Sequence, residues 1–376
     1  MKKLISVIIV IFIAYSLSFY TIGKEKGYKF LDFGINFDNF SSENNSDYED
    51  INEKDLSFEE YFKKGEDFFL SARYDEAIEM FENCLNKEEN LDANIYLGRC
   101  YLMTENNEQA LSIFNSILEK DINNGLPYFY IAYTQNKLGL IEDAINSYYI
   151  YLGFFPDDYA AYYNLGLINF ENEDYTSAKE LFTQSINKNN KYAVPYLERG
   201  RSYFMLNEYK KSITDYKQYI TLDSTDYTVY FKTGLSYYNL NKYDSAIYFY
   251  NIAIDKNPSY NNAYNGLGRI YFKKGDFEKA KFNYLKSIEL DRTFYEAYNN
   301  LADVYVKEKD YESAIKEYRK VHEFDNLNLY ALYSEALCFE QLGNKQQAKQ
   351  AYQMYLNNAT EEHYLYKEAK SRVSKL

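Results

Sequence analysis

A small residue returns every 34 positions along most of this chain: Gly98, Ala132, Gly166, Gly200, Gly234, Gly268, Ala302 and Ala336. A second series keeps the same step: Ala110, Ala144, Ala178, Ser212, Ala246, Ala280, Ala314 and Ala348. Gly65 and Ala77 extend both series backward with one residue deleted. Twelve residues separate the two small positions each time. Four residues beyond the second stands an aromatic: Phe81, Phe114, Tyr148, Phe182, Tyr216, Tyr250, Tyr284, Tyr318 and Tyr352. Self-similarity at a fixed interval of this length marks one supersecondary unit built many times over.

Within each interval the apolar residues fall at i, i+3, i+4 and i+7, which is helical spacing. The pattern predicts two helices of about 13 residues joined by a short turn, a pair that is hard to stabilise alone. Stacking such pairs buries one continuous core. With the first small residue numbered position 8, the repeats run 58–90, 91–124, 125–158, 159–192, 193–226, 227–260, 261–294, 295–328 and 329–362. Position 8 is expected to face the small residue at position 20 where the two helices cross. The aromatics at positions 4, 11, 17 and 24 are expected to fill the space between helices and repeats. Acidic residues at position 18, among them Asp75, Glu108 and Glu278, suit the positive end of a second helix. Pro127 and Pro195, at position 3, fall in a first turn, where Pro is tolerated.

This arrangement is similar to the tetratricopeptide repeat (TPR), and the resemblance covers about four-fifths of the chain. It implies an all-α, right-handed superhelical solenoid of nine helix–turn–helix repeats over 58–362. Residues 363–376 are expected to form a C-terminal capping helix, with Leu365, Ala369, Val373 and Leu376 on one face. The chain departs from the family pattern in places. Tyr stands for Trp at most position-4 sites, Lys64, Arg199, Thr233 and Glu335 replace Leu at position 7, and Gln135 and Asn169 replace the aromatic at position 11.

The N-terminus reads as a targeting segment over 1–22. Met1-Lys2-Lys3 is a basic start, and the run Leu4–Ala14 is apolar. It fits a cleaved signal peptide with small residues at Ser16 and Ser18. It equally fits an uncleaved anchor, because Leu4–Ile22 is close to the ~20 residues that span a bilayer. Both place the rest outside the cytoplasm, in the periplasm or on the extracytoplasmic face of the membrane. Residues 23–57 are expected to be an acidic, disordered linker, most clearly from Ser41 to Ser57.

Composition narrows the function. A net charge of −14 argues against wholesale binding of nucleic acid. The three cysteines, Cys84, Cys100 and Cys338, have no metal-ligand spacing, and the two histidines, His322 and His363, are too few for a His-based centre. Cys84 and Cys100 are expected as small buried residues in the seam between the first two repeats, and His322 as structural. Gly266-Leu267-Gly268 lacks the third Gly of a dinucleotide fingerprint and sits inside a helix. No catalytic, metal or cofactor constellation is expected, and so no enzyme.

What remains is a surface. In the TPR family the first helix of each repeat (helix A) lines the concave face through positions 2, 5, 9, 12 and 13. Carried onto this chain, positions 5, 9 and 12 give a partner-binding groove of Phe129, Tyr133, Tyr163, Phe170, Arg201, Phe204, Phe231, Tyr238, Arg269 and Phe272. The resemblance implies a non-enzymatic scaffold that binds an extended peptide or a partner protein there. The alternative is a module for an envelope glycan, with Tyr and Phe as stacking platforms. The family's clamp for a C-terminal carboxylate needs Lys and Asn at set helix-A positions. No position 9 here is Asn, so that activity is not carried over.

Overall fold

The computed structural model describes residues 56–376, and the targeting segment and most of the acidic linker lie outside them. The described residues form nineteen helices and no strand. Two compact units divide between Leu206 and Asn207, within the turn of the fifth repeat. The described part of the first unit holds α1 (Phe58–Leu70), α2 (Tyr74–Lys87), α3 (Leu91–Met103), α4 (Asn107–Lys120), α5 (Pro127–Lys137), α6 (Ile141–Phe154), α7 (Tyr159–Glu171), α8 (Tyr175–Lys188) and α9 (Val194–Met205). The second holds α10 (Tyr209–Leu222), α11 (Tyr227–Asn239), α12 (Tyr243–Lys256), α13 (Asn261–Lys274), α14 (Phe277–Leu290), α15 (Tyr295–Glu308), α16 (Tyr311–Phe324), α17 (Leu329–Gln341), α18 (Lys345–Asn358) and α19 (Tyr366–Lys375). Odd numbers from α1 to α17 are the A helices and even numbers the B helices of the repeats.

Local chemistry starts and stops each helix. Ser57 and Glu60 form a capping box at α1. The side chains of Asn90, Asp158, Asp226 and Asn328 cap later A helices, and Pro127 opens α5. Every A-to-B turn then passes through one left-handed residue, always at position 15: Ala72, Glu105, Gly139, Glu173, Asn207, Asn241, Gly275, Lys309 and Gly343. The turn at Gly275 shows the hydrogen bonding. Asp276 N–H donates to Tyr271 O at 2.9 Å and Gly275 N–H to Phe272 O at 3.0 Å, the paired bonds of a Schellman cap. Only three of the nine positions use glycine.

Packing within each unit follows the period. The alanines of position 20, Ala77 through Ala348, are fully buried, as is Ser212. The glycines of position 8 face a different obstacle from the one the sequence suggests. A Cβ on Gly98, Gly166, Gly234 or Gly268 would stand 2.5–2.7 Å from the position-24 ring of its own repeat. The smallness of position 8 therefore makes room for an aromatic ring, with the helix crossing second. At Gly234 the nearest ring is Tyr250, and Ala246 O follows at 3.2 Å. In the first two repeats the position-6 tyrosine of the next repeat stacks on the other side: Tyr96 on Phe81 at 5.1 Å and Tyr130 on Phe114 at 5.0 Å. At the chain's end, Ala369 of α19 is fully buried against the ninth repeat, with Leu365, Val373 and Leu376 partly buried beside it.

The polar departures from the family pattern are satisfied inside the fold. Glu335, 8% exposed, accepts from Arg319 Nε at 3.0 Å and lies 3.1 Å from His322 Nε2. Arg199 donates to Thr183 Oγ1, Thr233 to Val229 O, and Asn169 to Leu165 O, while Gln135 accepts from Ser147. Cys84 and Cys100 are free thiols in the core of the first two repeats, where burial pushes them up to about 11 and about 12.

Candidate partner-binding face

In both units, A helices touch the A helices of neighbouring repeats: α1 with α3, α3 with α5, α5 with α7 and α7 with α9 in the first, and α11 with α13 and α13 with α15 in the second. Each unit thus carries a continuous helix-A face. The ten residues expected to line a groove divide on it by repeat position.

The position-5 residues turn inward. Phe129 and Tyr163, expected in the groove, are 3% and 5% exposed and belong to the core. Phe129 meets Tyr148 and Tyr151 edge-on at 5.5 and 5.3 Å, and Tyr163 meets Tyr192 at 5.6 Å. Phe231 is half-buried between Tyr250 and Tyr260, each at 5.3 Å. The physical reason is the rings that flank it: position 5 shares a helix face with positions 9 and 12, but Tyr148 and Tyr151 cover Phe129, Tyr192 covers Tyr163, and Tyr250 and Tyr260 cover Phe231.

Positions 9 and 12 stay half-buried and pair across repeats. Arg201 Cζ lies 4.5 Å over the Phe170 ring, and Arg269 Cζ lies 4.7 Å over the Tyr238 ring. Arg99 repeats the contact over Phe69 at 4.7 Å. In each case a position-9 guanidinium stacks on the position-12 aromatic one repeat earlier, a cation–π contact. Tyr133, Phe204 and Phe272 are also half-buried. Phe272 leans on Phe277 at 5.8 Å, and Lys137 Nζ stands 5.5 Å from the Tyr133 ring. Arg201 and Phe204 belong to the first unit, and Phe231, Tyr238, Arg269 and Phe272 to the second.

The two arginines differ electrostatically. Arg201 is neutralised by Glu198, which accepts from Arg201 Nη1 at 2.7 Å. Among the described residues, Arg269 has no ion pair and donates no hydrogen bond; stacking on Tyr238 is its contact. Its charge acts on the buried hydroxyls of Tyr250 and Tyr284, opposing the upward push of burial. Further along the face Asp303 accepts from Tyr318 at 2.7 Å and Tyr330 at 2.6 Å, and burial pushes its carboxyl up while these two hydroxyls oppose it.

Two features of this surface were not read from the sequence. Position 24 had been assigned to packing alone, yet in the eighth and ninth repeats its tyrosine donates a hydroxyl to a helix-A carboxylate, Tyr318 to Asp303 and Tyr352 to Glu340. The alternation of Phe and Tyr at that position was the available signal, since a buried phenol seeks a partner. Second, several open apolar side chains lie on B helices, whereas Tyr364 and Ile122, at 78% and 69%, lie in turns. Phe282 is 67% exposed, Tyr248 62% and Leu285 50%.

Tetratricopeptide repeat profiles match residues 68–127, 132–192, 193–226, 295–326 and 330–359, and a TPR repeat profile matches 234–275 and 268–308. The chain belongs to the tetratricopeptide repeat family. As a TPR protein it is similar to the C-terminal part of a TPR repeat-containing protein from Cytophaga hutchinsonii. The identity is 19%, over 63% of this chain and 97% of that one, with a TM-score of 0.53. It is also similar to the APC/C hetero-tetramer Cut9–Hcn1, at 14% identity over 85% of this chain and 76% of that one, with a TM-score of 0.50. These likenesses show the fold. A curated relative, neutrophil cytosol factor 2 of Mus musculus, is 36% identical over 59 residues. That match takes in 16% of this TPR chain and 11% of the relative's length.

Proposed function

We propose that this TPR protein is a non-enzymatic scaffold that holds an extended peptide or a partner protein on its helix-A face, outside the cytoplasm. The observation that carries the reading is the half-buried stripe of position-9 and position-12 residues, in which arginines stack on aromatics. Phe170, Tyr238 and Phe272 of this stripe pack their inner edges on the core and keep the rest of each side chain open. Aromatic and arginine side chains are the types enriched at binding hot spots. The extracytoplasmic placement rests on Lys2-Lys3 and the apolar run Leu4–Ala14.

Affinity capture with the full chain, followed by binding assays on the captured partner, tests this reading. Phe204→Ala and Tyr238→Ala should each cost about 2 kcal/mol or more in binding while helicity stays unchanged. Elution by a free sugar would favour the glycan alternative. Binding that survives both substitutions and is lost on changing Phe282 or Tyr248 would move the site to the B helices.

A further inference from the structure

We infer that residues 31–37 of this chain dock in extended form on the open end of α6, on the helix-B side of the first unit. The inference stands apart from the helix-A reading above.

The surface comes first. Six large apolar side chains among the described residues of the first unit are exposed, and four of them, Ile122, Tyr149, Ile150 and Phe154, gather at this one place. Ile150 and Phe154 stand four residues apart on α6 and share a face, with Tyr149 beside them. The turn that carries Ile122 closes on the same helix end: a Cβ on Gly125 would stand 2.5 Å from Phe154 Cγ. Tyr128 stacks on Phe154 at 6.3 Å and extends the ring surface. The repeat pattern does not require this patch. The three α6 side chains hold positions 25, 26 and 30. Those positions are Glu82, Asn83 and Lys87 in the first repeat, Asn115, Ser116 and Lys120 in the second, and Thr183, Gln184 and Lys188 in the fourth. An open apolar patch where the sister repeats are polar marks an interaction site.

The chain carries a segment that matches it. In the run FLDFGINFDNF, residues 30–40, Leu31, Phe33, Ile35 and Phe37 alternate strictly with Asp32, Gly34, Asn36 and Asp38. Period-two alternation gives an extended chain one apolar edge and one polar edge. The segment lies outside the described residues, and these contain no strand, so a helix surface is what its apolar edge can cover. Charge agrees. Lys120 and Lys188 hold position 30 in the repeats on either side of Phe154, and each pairs with an exposed turn carboxylate, Glu89 or Asp157, in contacts worth little. Asp32 and Asp38 bring carboxylates to both ends of the apolar edge.

The segment reaches. Leu56, 8% exposed, is fixed in the core of the first two repeats. The chain from Phe37 to Leu56 spans up to about 65 Å when extended. From α1 to α6 each helix packs on the next, and such steps of 8–10 Å add up to at most about 50 Å. A tether of this kind keeps the segment near millimolar effective concentration, which favours it over a second copy as the occupant.

Photo-crosslinking in the full chain tests the inference. A p-benzoyl-phenylalanine placed at Phe33 should crosslink within its own chain to residues 149–154 or to the 121–126 turn, with a yield independent of protein concentration. The same group at Asn36, on the polar edge, should not. Ile150→Asp should lower the docked-to-free ratio about tenfold or more, the loss expected for one large apolar side chain, and the crosslink from Phe33 should fall with it. Hydrogen exchange gives the reverse reading. Phe33→Asp combined with Ile35→Asp, both outside the described residues, should lower amide protection at the end of α6 and leave the other helices of the first unit unchanged. Crosslinks that join two chains and grow with concentration would overturn the in-chain contact and assign the face to a second copy. Crosslinks to A helices or to α12 and α14, equal yields from Phe33 and Asn36, or unchanged protection in α6 would overturn it as well.

Discussion

Adding a single methyl at Gly268 tests the packing rule that underlies the whole stack. A Cβ there would stand 2.5 Å from Tyr284 Cε1, 2.6 Å from Cδ1 and 2.9 Å from Cζ. Carbon atoms settle near 3.5–4.0 Å, so the ring must retreat by roughly 1 Å. It has nowhere open to go. Tyr284 is 1% exposed, and Ala280, Leu301 and Val304 around it are fully buried. Overpacking of this kind costs about 1–3 kcal/mol, and the better helix propensity of Ala returns about 1 kcal/mol. Gly268→Ala should therefore destabilise by up to about 2 kcal/mol. Gly153 is the internal control. It also lies in a helix, α6, but a Cβ there meets nothing within 4 Å. Gly153→Ala should stabilise by up to about 1 kcal/mol, since only propensity acts. Urea unfolding followed by circular dichroism gives the two signs. Native-state hydrogen exchange gives the place: protection should fall first in α13, α14 and α15, because coupling in a stack is between neighbours. Equal stabilisation by both substitutions, or uniform loosening across both units, would refute the reasoning.

Two further predictions concern the turns and a buried cap. Lys309 is left-handed at φ 64, and Gly275 occupies the equivalent turn at φ 77. Lys309→Gly should stabilise by about 0.5–1 kcal/mol and Gly275→Ala destabilise by about 1 kcal/mol, read as opposite shifts in urea midpoint. Asp158 is 2% exposed, caps α7 through Ala160 N–H at 2.8 Å and accepts from Tyr151 at 2.6 Å, and burial pushes its carboxyl up. The folded state therefore holds this proton more tightly than the unfolded chain. The contribution is full below the unfolded Asp value and is lost as pH rises through the folded one. Asp158→Asn keeps the Oδ1 acceptor of the cap, removes the titrating group and sets an NH2 donor against the Tyr151 hydroxyl in place of Oδ2. The stability of the native chain relative to this variant should be greatest in acid, fall with rising pH, then level off, and a difference independent of pH would contradict the assignment.

The period made most of the fold legible. Small residues at positions 8 and 20 and an aromatic at 24 place both helices of every repeat, because each has a packing duty that recurs without change. Other features were hidden for physical reasons. Position 15 is left-handed in all nine turns but holds Ala, Glu, Asn or Lys at six of them, so composition masks the shared geometry. Position 8 was matched to Ala at position 20, although the tighter neighbour is the ring at 24, because ring direction depends on a rotamer that spacing does not state. Phe129 and Tyr163 were placed in the groove because their repeat position marks an orientation, whereas burial depends on which rings flank them. The difference between Arg201 and Arg269 was also invisible. Glu198 lies three residues before Arg201, but only the helix geometry shows the pair closed.

Hydrogen exchange on the full chain, free and saturated with its captured partner, tests the central claim most directly. The account predicts that protection rises in α11 and α13, around Tyr238 and Arg269, with α12 and α14 unchanged. Protection confined to α12 and α14, around Tyr248 and Phe282, would contradict it.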